Sequence, residues 1–383
     1  MRFLHTGDWH VGRTLRGRSR NDEYAGALDQ LVAIAVDESV DAVLVAGDVY
    51  DQRSVTPEAD ELIFETFLRL HAHRIPVVVI PGNHDSPARL NAFAPLLRQI
   101  DTTVVAKMLP PGAGGTVEIT SKSSERALVS CLPFVSPRRF ATATMLFDDV
   151  AATYTEFDRG MQSLLSAYSS GFADDAVNVV LGHMFVTGAR PGGGEREVTL
   201  GSDFAVSPAH LPATAHYVAL GHIHRPQRIA AAPGPARYCG SLIQLDFGER
   251  NQDKSVVVVD ARPGRRAAAK EIPITAGRSL IDLEGTLDDL EVRARDITDE
   301  FLRVTVKVDE PVPGIADRVR DLLGPNTLDV RLDYERAEMR DRVAVRGLDP
   351  RDQFIAYYRD NHGVEPAGEL LGAFDRVSEE VAG

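Results

Sequence analysis

Five short apolar runs in this chain each give way to a glycine followed by Asp, Asn or His. These motifs read Gly7-Asp8-Trp9-His10, Gly47-Asp48-Val49-Tyr50-Asp51, Gly82-Asn83-His84-Asp85, Gly182-His183 and Gly221-His222-Ile223-His224. The runs before them are Arg2 to Leu4, Ala42 to Ala46, Val77 to Ile80, Val177 to Leu181 and Tyr217 to Leu220. They are short and β-branched, as strands buried on both faces are. In an open α/β sheet, ligands gather just beyond the carboxyl ends of such strands. Five loops bringing metal-ligating side chains to one edge predict a single site.

Helical periodicity fills the gaps. Tyr24 to Val36 leads into the Ala42 run, and Ala59 to Leu70 into the Val77 run. Repeated βα units predict a mostly parallel sheet covered on both faces. Further strands around Ala127–Leu132, Arg237–Cys239 and Ser255–Asp260 make the first 275 residues an α/β two-sheet sandwich flanked by helices. Gly188 to Gly201, with Pro191-Gly192-Gly193-Gly194, reads as a flexible connector, with a substrate gate as the alternative.

A second unit spans 276–340. Leu302, Val304, Val306 and Val308 alternate with polar residues, and so do Leu328, Val330, Leu332 and Tyr334. Between them Ile315, Val319, Leu322 and Leu323 mark one helix face, closed by Gly324. This predicts a small α+β cap. In 349–383, Phe354, Tyr357 and Tyr358, then Leu370, Leu371, Phe374, Val377 and Val381, lie at helical spacing. Two short amphipathic helices cannot bury both stripes alone. They either fold back on the body or dock on a partner helix, and we favour the partner.

At 383 residues and 44% hydrophobic content the chain can bury a large core. Met1 runs straight into the first motif with no signal peptide, and no apolar stretch approaches membrane-spanning length. Cys131 and Cys239 lack zinc-ligand spacing and read as free thiols. A cytoplasmic protein without a membrane partner is expected. The net charge of −14 speaks against nucleic acid as substrate, yet it is unevenly spread. Residues 276–383 carry −10, whereas 1–275 carry only −4, part of which belongs to candidate metal ligands. Arg13, Arg16, Arg18 and Arg20 follow the first motif, either as phosphate contacts or as a solvated loop paired with Asp22 and Glu23.

Two cations about 3.5–4 Å apart can clamp both oxygens of an in-line displacement at phosphorus, which requires a carboxylate shared between them. Asp48 suits the shared position, Asp8 and His10 suit one cation, and Asn83 suits the other. His183, His222 and His224 complete the set. This mixed oxygen and nitrogen ligation fits Mn²⁺ or Fe²⁺, with zinc possible. His84 beside Asp85 reads as an acid that protonates the leaving oxygen, with Asp85 orienting it. Asp51 reads either as support for the site or as a turn residue. The remaining histidines, His5, His71, His73, His210, His216 and His362, read as packing or surface residues. The sequence has no Gly-Lys dipeptide, hence no Walker A loop, and neither His-Glu-x-x-His nor Gly-x-Ser-x-Gly.

The motif order Asp-x-His, Gly-Asp-x-x-Asp, Gly-Asn-His-Asp, Gly-His, Gly-His-x-His resembles the calcineurin-like metallophosphoesterases. The segments Leu4 to Arg13, Tyr217 to Arg225 and Arg237 to Ser241 resemble that superfamily's bacterial DNA-repair nuclease branch, and the layout matches over nearly the whole chain. The resemblance implies one metal held by Asp8, His10, Asp48 and His224, a second by Asp48, Asn83, His183 and His222, and His84 as the catalytic histidine. It implies manganese first, with Fe²⁺, Mg²⁺ or Zn²⁺ as alternatives. It also implies exonuclease action on double-stranded DNA and endonuclease action on single-stranded or hairpin DNA, in repair and recombination near the nucleoid. The implied assembly is a homodimer within a heterotetramer, with an SbcC-type coiled-coil ATPase bound through the C-terminal helices. The cap would help seat DNA. Arg303, Lys307, Arg318 and Arg320 form either a basic strip there or a solvated mixed surface.

Two rivals stand beside this reading. A small-nucleotide phosphodiesterase would use the same metals but needs neither cap nor tail. A metal-dead scaffold has no reason to keep Asn83 and His84.

Overall fold

The computed structural model describes residues 1–135, 157–195, 205–310, 313–334, 349–362 and 365–382. Part of the expected connector, 196–201, lies outside them, as do 335–340 of the cap. In chain order the first strands are β1 Arg2–Thr6, β2 Ala42–Val45, β3 Val77–Val79, β4 Thr102–Val104, β5 Thr116–Thr120 and β6 Arg126–Leu132. Then come β7 Val177–His183, β8 Phe185–Val186, β9 Ala205–Val206, β10 Tyr217–Gly221, β11 Gln227–Arg228 and β12 Ala236–Tyr238. The last are β13 Lys254–Arg262, β14 Arg265–Ile274, β15 Leu280–Gly285, β16 Phe301–Lys307 and β17 Thr327–Asp333. All five predicted motif strands are present.

One sheet has the order β14-β13-β1-β2-β3-β4 and the other β11-β12-β10-β7-β6-β5. Each has a parallel centre, β1-β2-β3-β4 in the first and β12-β10-β7-β6 in the second. Antiparallel strands flank these centres: β13 pairs with β1, and β13-β14, β11-β12 and β5-β6 pair as sequence neighbours. The two sheets face each other across a core that includes Phe3, Leu44 and Val78 from the first and Val129, Val179 and Tyr217 from the second. The outer face of the first sheet is covered by α1 Asn21–Asp37 and α2 Pro57–Ala72, whose Leu28, Leu31, Ile63 and Phe67 pack on Leu4, Val43 and Val77. Helix α3 Pro87–Leu97 adds Leu90 and Leu97. Helix Phe157–Ser169 covers the second sheet through Met161, Leu164, Leu165 and Tyr168. This is the expected sandwich between helices.

Helix starts are written locally. Thr56 and Ser86 cap α2 and α3 with their side-chain oxygens, each followed by proline at the first helical position. Gly324 ends helix Ile315–Leu323 at φ 87°, where the sequence places the stop. Sequence reading missed β15 and the short helix Leu287–Arg293 after it. The buried positions of β15 do not follow strict alternation, so it lacks the signal that marks β16.

Met1–Lys307 and Pro313–Leu332 form one compact unit, and Val308–Val312 with Asp333–Gly383 form a second. In the first unit the sheet β15-β16-β17 meets the body around Phe301, whose ring lies under three guanidiniums: Arg18 at 5.9 Å, Arg20 at 5.6 Å and Arg278 at 5.3 Å. Three of the four residues of the candidate basic strip are paired: Arg303 with Asp282, Lys307 with Glu284 and Arg320 with Asp317. In the second unit, helices Pro350–His362 and Gly368–Ala382 meet through stacked Phe354 and Phe374 rings, 4.4 Å apart. Tyr357 and Val377 stay 64% and 58% exposed, with Leu370 partly so, so the hairpin leaves apolar surface uncovered. Among the described residues no helix is long and apolar enough to cross a membrane.

Candidate metal centre

The first sheet delivers Asp8 and His10 after β1, Asp48 after β2, and Asn83 and His84 after β3. The second delivers His183 at the end of β7, and His222 and His224 after β10. Strand register brings them level: Gly221 pairs with His183, and the first two loops continue their ladder through Asp8 N–H to the Gly47 carbonyl at 2.9 Å. The loops turn sharply, and Asp8, His10, Asp48 and His222 all adopt left-handed φ, between 48° and 99°. Such strain outside glycine persists where the surrounding structure imposes it. Gly47 sits at φ 89°, and a Cβ there would lie 2.4 Å from His183 Nδ1, so only glycine fits.

The candidate ligands converge and are nearly all fully buried. Asp48 Oδ2 lies 3.6 Å from His10 Nε2 and 3.4 Å from His183 Nε2, between the two groups. On one side His10 Nε2 is 3.1 Å from His224 Nε2. On the other, Asn83 Oδ1 is 3.0 Å from His183 Nε2 and 2.9 Å from His222 Nδ1. Asp8, His10 and His224 form one cluster of ligand atoms, and Asp8, Asp48 and His183 form another. Lone-pair-bearing atoms from opposite sheets aimed at common points fit two divalent cations. Oxygen and imidazole donors without a thiolate suit Mn²⁺ or Fe²⁺ chemistry.

The charges agree with this. Burial pushes the Asp8 carboxyl up to about 6 and the His10 imidazole down to about 3. Burial opposes ionisation of Asp48 too, but the neighbouring His183, His10 and His84 rings hold it well below the usual carboxylate range. His183, likewise opposed by burial, is lifted to about 9 by the Asp48 carboxylate. Without metal, a proton on His183 takes the place of a cation.

The expectation for Asp85 needs correction. Its carboxylate accepts the backbone N–H groups of Gly82 at 2.8 Å, Tyr50 at 3.0 Å and Val49 at 3.2 Å. It thus ties the second ligand loop to the third, and the oxygen bonded to His84 Nδ1 is the Asp51 carbonyl at 2.7 Å. Asp51 also brings its carboxylate within 3.4 Å of His10 Nδ1 and 3.6 Å of Arg13, beside a candidate ligand.

The arginine loop divides. Arg20 is fully buried, doubly bonded to Glu23 at 2.9 and 2.6 Å, while Asp22 pairs with Arg278. Arg18 and Arg16 reach Pro325 and Asp329 of the cap. Arg13 alone of the four lines, with Arg53 and His84, an open cleft of about 890 Å³ beside the site. Of the histidines read as ordinary, buried His5 bonds Tyr217 Oη at 3.0 Å, and His71 and His210 pair with Asp101 and Asp158.

Sequence reading missed Phe134, stacked 5.9 Å from His222, and two glutamates behind His224, buried Glu249 and half-buried Glu195. Glu195 accepts the His224 N–H at 2.9 Å together with the Gly192 and Gly193 amides. Residues 192–194 are therefore packed against the site rather than forming a loose connector.

The calcineurin-like phosphoesterase family profile matches residues 1–226. The SbcD component of the nuclease SbcCD from Bacillus subtilis (strain 168) is 33% identical over 383 residues, covering 98% of this chain and 97% of that protein. Its counterpart in Escherichia coli (strain K12) is 30% identical over 363 residues, 90% of this chain and 87% of its own. That of Rhodobacter capsulatus is 32% identical over 341 residues, 82% of each. On its motifs, its fold and these relatives, the chain belongs to the calcineurin-like phosphoesterase family and, within it, to the SbcD family of SbcCD nuclease components.

Proposed function

We propose that the chain is a manganese-dependent DNA nuclease that hydrolyses phosphodiesters at a two-metal centre. It acts as an exonuclease on double-stranded DNA and an endonuclease on single-stranded or hairpin DNA, with an SbcC-type ATPase in repair and recombination. The observation that carries this reading is Asp48 Oδ2, 3.6 Å from His10 Nε2 and 3.4 Å from His183 Nε2, where one carboxylate serves both groups of ligands.

In this reading Asp8, His10, Asp48 and His224 hold one cation, and Asp48, Asn83, His183 and His222 hold the other. When bound, the pair supplies Lewis acidity at the phosphate and lowers the pKa of the attacking water. His84 supplies the proton. The Asp51 carbonyl accepts its Nδ1–H at 2.7 Å, so the imidazolium gives its Nε2 proton to the leaving oxygen and is left as the neutral Nδ1–H tautomer. Arg13 and Arg53 flank the same cleft as His84 and offer charge to the flanking phosphates. Residues 1–275 act as the nuclease domain and 276–340 as the cap. The 349–383 hairpin presents exposed Tyr357, Leu370 and Val377 to the ATPase in a heterotetramer built on a homodimer.

Cleavage of linear double- and single-stranded DNA with Mn²⁺, Mg²⁺ or EDTA, alongside bis(p-nitrophenyl) phosphate, tests this. Manganese-dependent DNA cutting supports it. Turnover of the small ester with DNA untouched, even after adding the ATPase, refutes it in favour of a small-molecule phosphodiesterase.

A further inference from the structure

Behind His224 lies a polar cluster that the two-metal reading does not use. Glu249 is fully buried in the turn Phe247–Glu249, and its Oε1 lies 2.8 Å from His224 Nδ1. Its Oε2 meets Lys254 Nζ at 2.7 Å, the Leu245 N–H at 3.1 Å and Ser241 Oγ at 3.2 Å. Lys254, also buried, donates to the His224 carbonyl at 3.0 Å. His224 is thus gripped at its ring by Glu249, at its carbonyl by Lys254 and at its amide by Glu195.

We propose that Glu249, held by Lys254, is a positioning residue that fixes His224 as the Nδ1–H tautomer and so sets the metal affinity of that position. This rests on His224 being a metal ligand. A carboxylate is acceptor-only, so the hydrogen of the short contact belongs to Nδ1, and Nε2 keeps its lone pair for the cation. Glutamine cannot replace it. With its amide nitrogen toward Lys254 and the Leu245 N–H, donors face donors. With that nitrogen toward His224, the imidazole must accept at Nδ1 and carry its hydrogen on Nε2, where the metal belongs. The backbone at Gly194 shows how closely the pair is held: a Cβ there would lie 2.3 Å from Glu249 Oε1 and 3.0 Å from His224 Nδ1.

The test is calorimetric titration of Mn²⁺ into the EDTA-treated, dialysed full-length chain, with ¹⁵N histidine spectra of the metal-free protein. Glu249→Gln is expected to weaken one of the two uptake steps about 10- to 100-fold and to convert His224 from a single Nδ1–H signature to a mixture. Gly194→Ala, which alters no polar group and serves where Glu249→Gln does not fold, is expected to shift affinity in the same direction. Folded variants that bind Mn²⁺ like wild type, with an unchanged His224 signature, would overturn the proposal. Wild-type chain that takes up no Mn²⁺ would instead sink the two-metal reading on which it stands.

Discussion

His84 is held by the main chain of Asp51, ring Nδ1 to carbonyl oxygen at 2.7 Å. Side-chain replacement at Asp51 leaves that bond in place, while replacement of His84 removes the proton donor itself. His84→Ala is expected to lower DNA cleavage about 10²- to 10⁴-fold with Mn²⁺ uptake intact, and Asp51→Ala to lower it less. Single-turnover cleavage at saturating Mn²⁺ measures both. A His84→Ala enzyme cutting at the wild-type rate would remove this residue from the chemistry.

Within one loop, two arginines are expected to behave oppositely. Arg13 faces the cleft, so Arg13→Ala should weaken DNA binding across sequences and reduce the slope of log affinity against log salt by about one. Arg20 is buried against Glu23, so Arg20→Ala should destabilise the fold, by about 1–3 kcal/mol, because buried Glu23 loses two charge-assisted hydrogen bonds and keeps only Arg278 as a partner. Salt-dependent binding titrations and urea denaturation separate the two.

Metal removal should make stability pH-sensitive. In the metal-free protein Asp8 is raised to about 6 and Asp85 to about 7, in both chiefly by burial; His183, against the pull of burial, is raised to about 9 by Asp48. Each folded value lies above the unfolded one, so the stability these groups contribute is present at low pH and lost as pH rises. The Asp8 and Asp85 losses are complete near pH 6 and 7, so between pH 6.5 and 8.5 the EDTA-treated chain should lose stability chiefly through His183, at up to about 1.4 kcal/mol per pH unit. Mn²⁺ should reverse the loss most at the high end, since metal displaces those protons. Thermal melts with and without Mn²⁺ across that range check this; a metal-free melting temperature that stays level or climbs would contradict it.

Truncation after residue 348 should spare cleavage of bis(p-nitrophenyl) phosphate and abolish association with the SbcC-type ATPase. Leu370→Asp or Val377→Asp in the full chain should weaken association alone, because both side chains are exposed on the hairpin. Co-purification with the ATPase, beside an ester assay, distinguishes docking from folding.

Much of this was legible in the sequence because burial on both faces writes strands as apolar runs, and each run here ends at a ligand. Helix Ile315–Leu323 was legible to its last residue through Gly324. What escaped notice acts through partners that sequence spacing does not mark. The Asp85 carboxylate accepts from main-chain amides, which any sequence supplies. Glu249 lies 25 positions from His224, in a turn without periodicity, and meets it only after the chain has crossed β12. Arg20 looked like its neighbours because nothing local separates a buried arginine from a solvated one.

Each proposed cation takes ligands from both sheets, three from the first and one from the second for one cation, two and two for the other. The distance between the ligands that would hold each cation is consequently a dimension of the sandwich, gauged by side chains such as Phe3, Leu44, Val179 and Tyr217 laid between the sheets. Hydrocarbon volume in the middle of the protein is the shim that sets the spacing of the two rows of candidate ligands, so a methylene lost there would be felt at the rim.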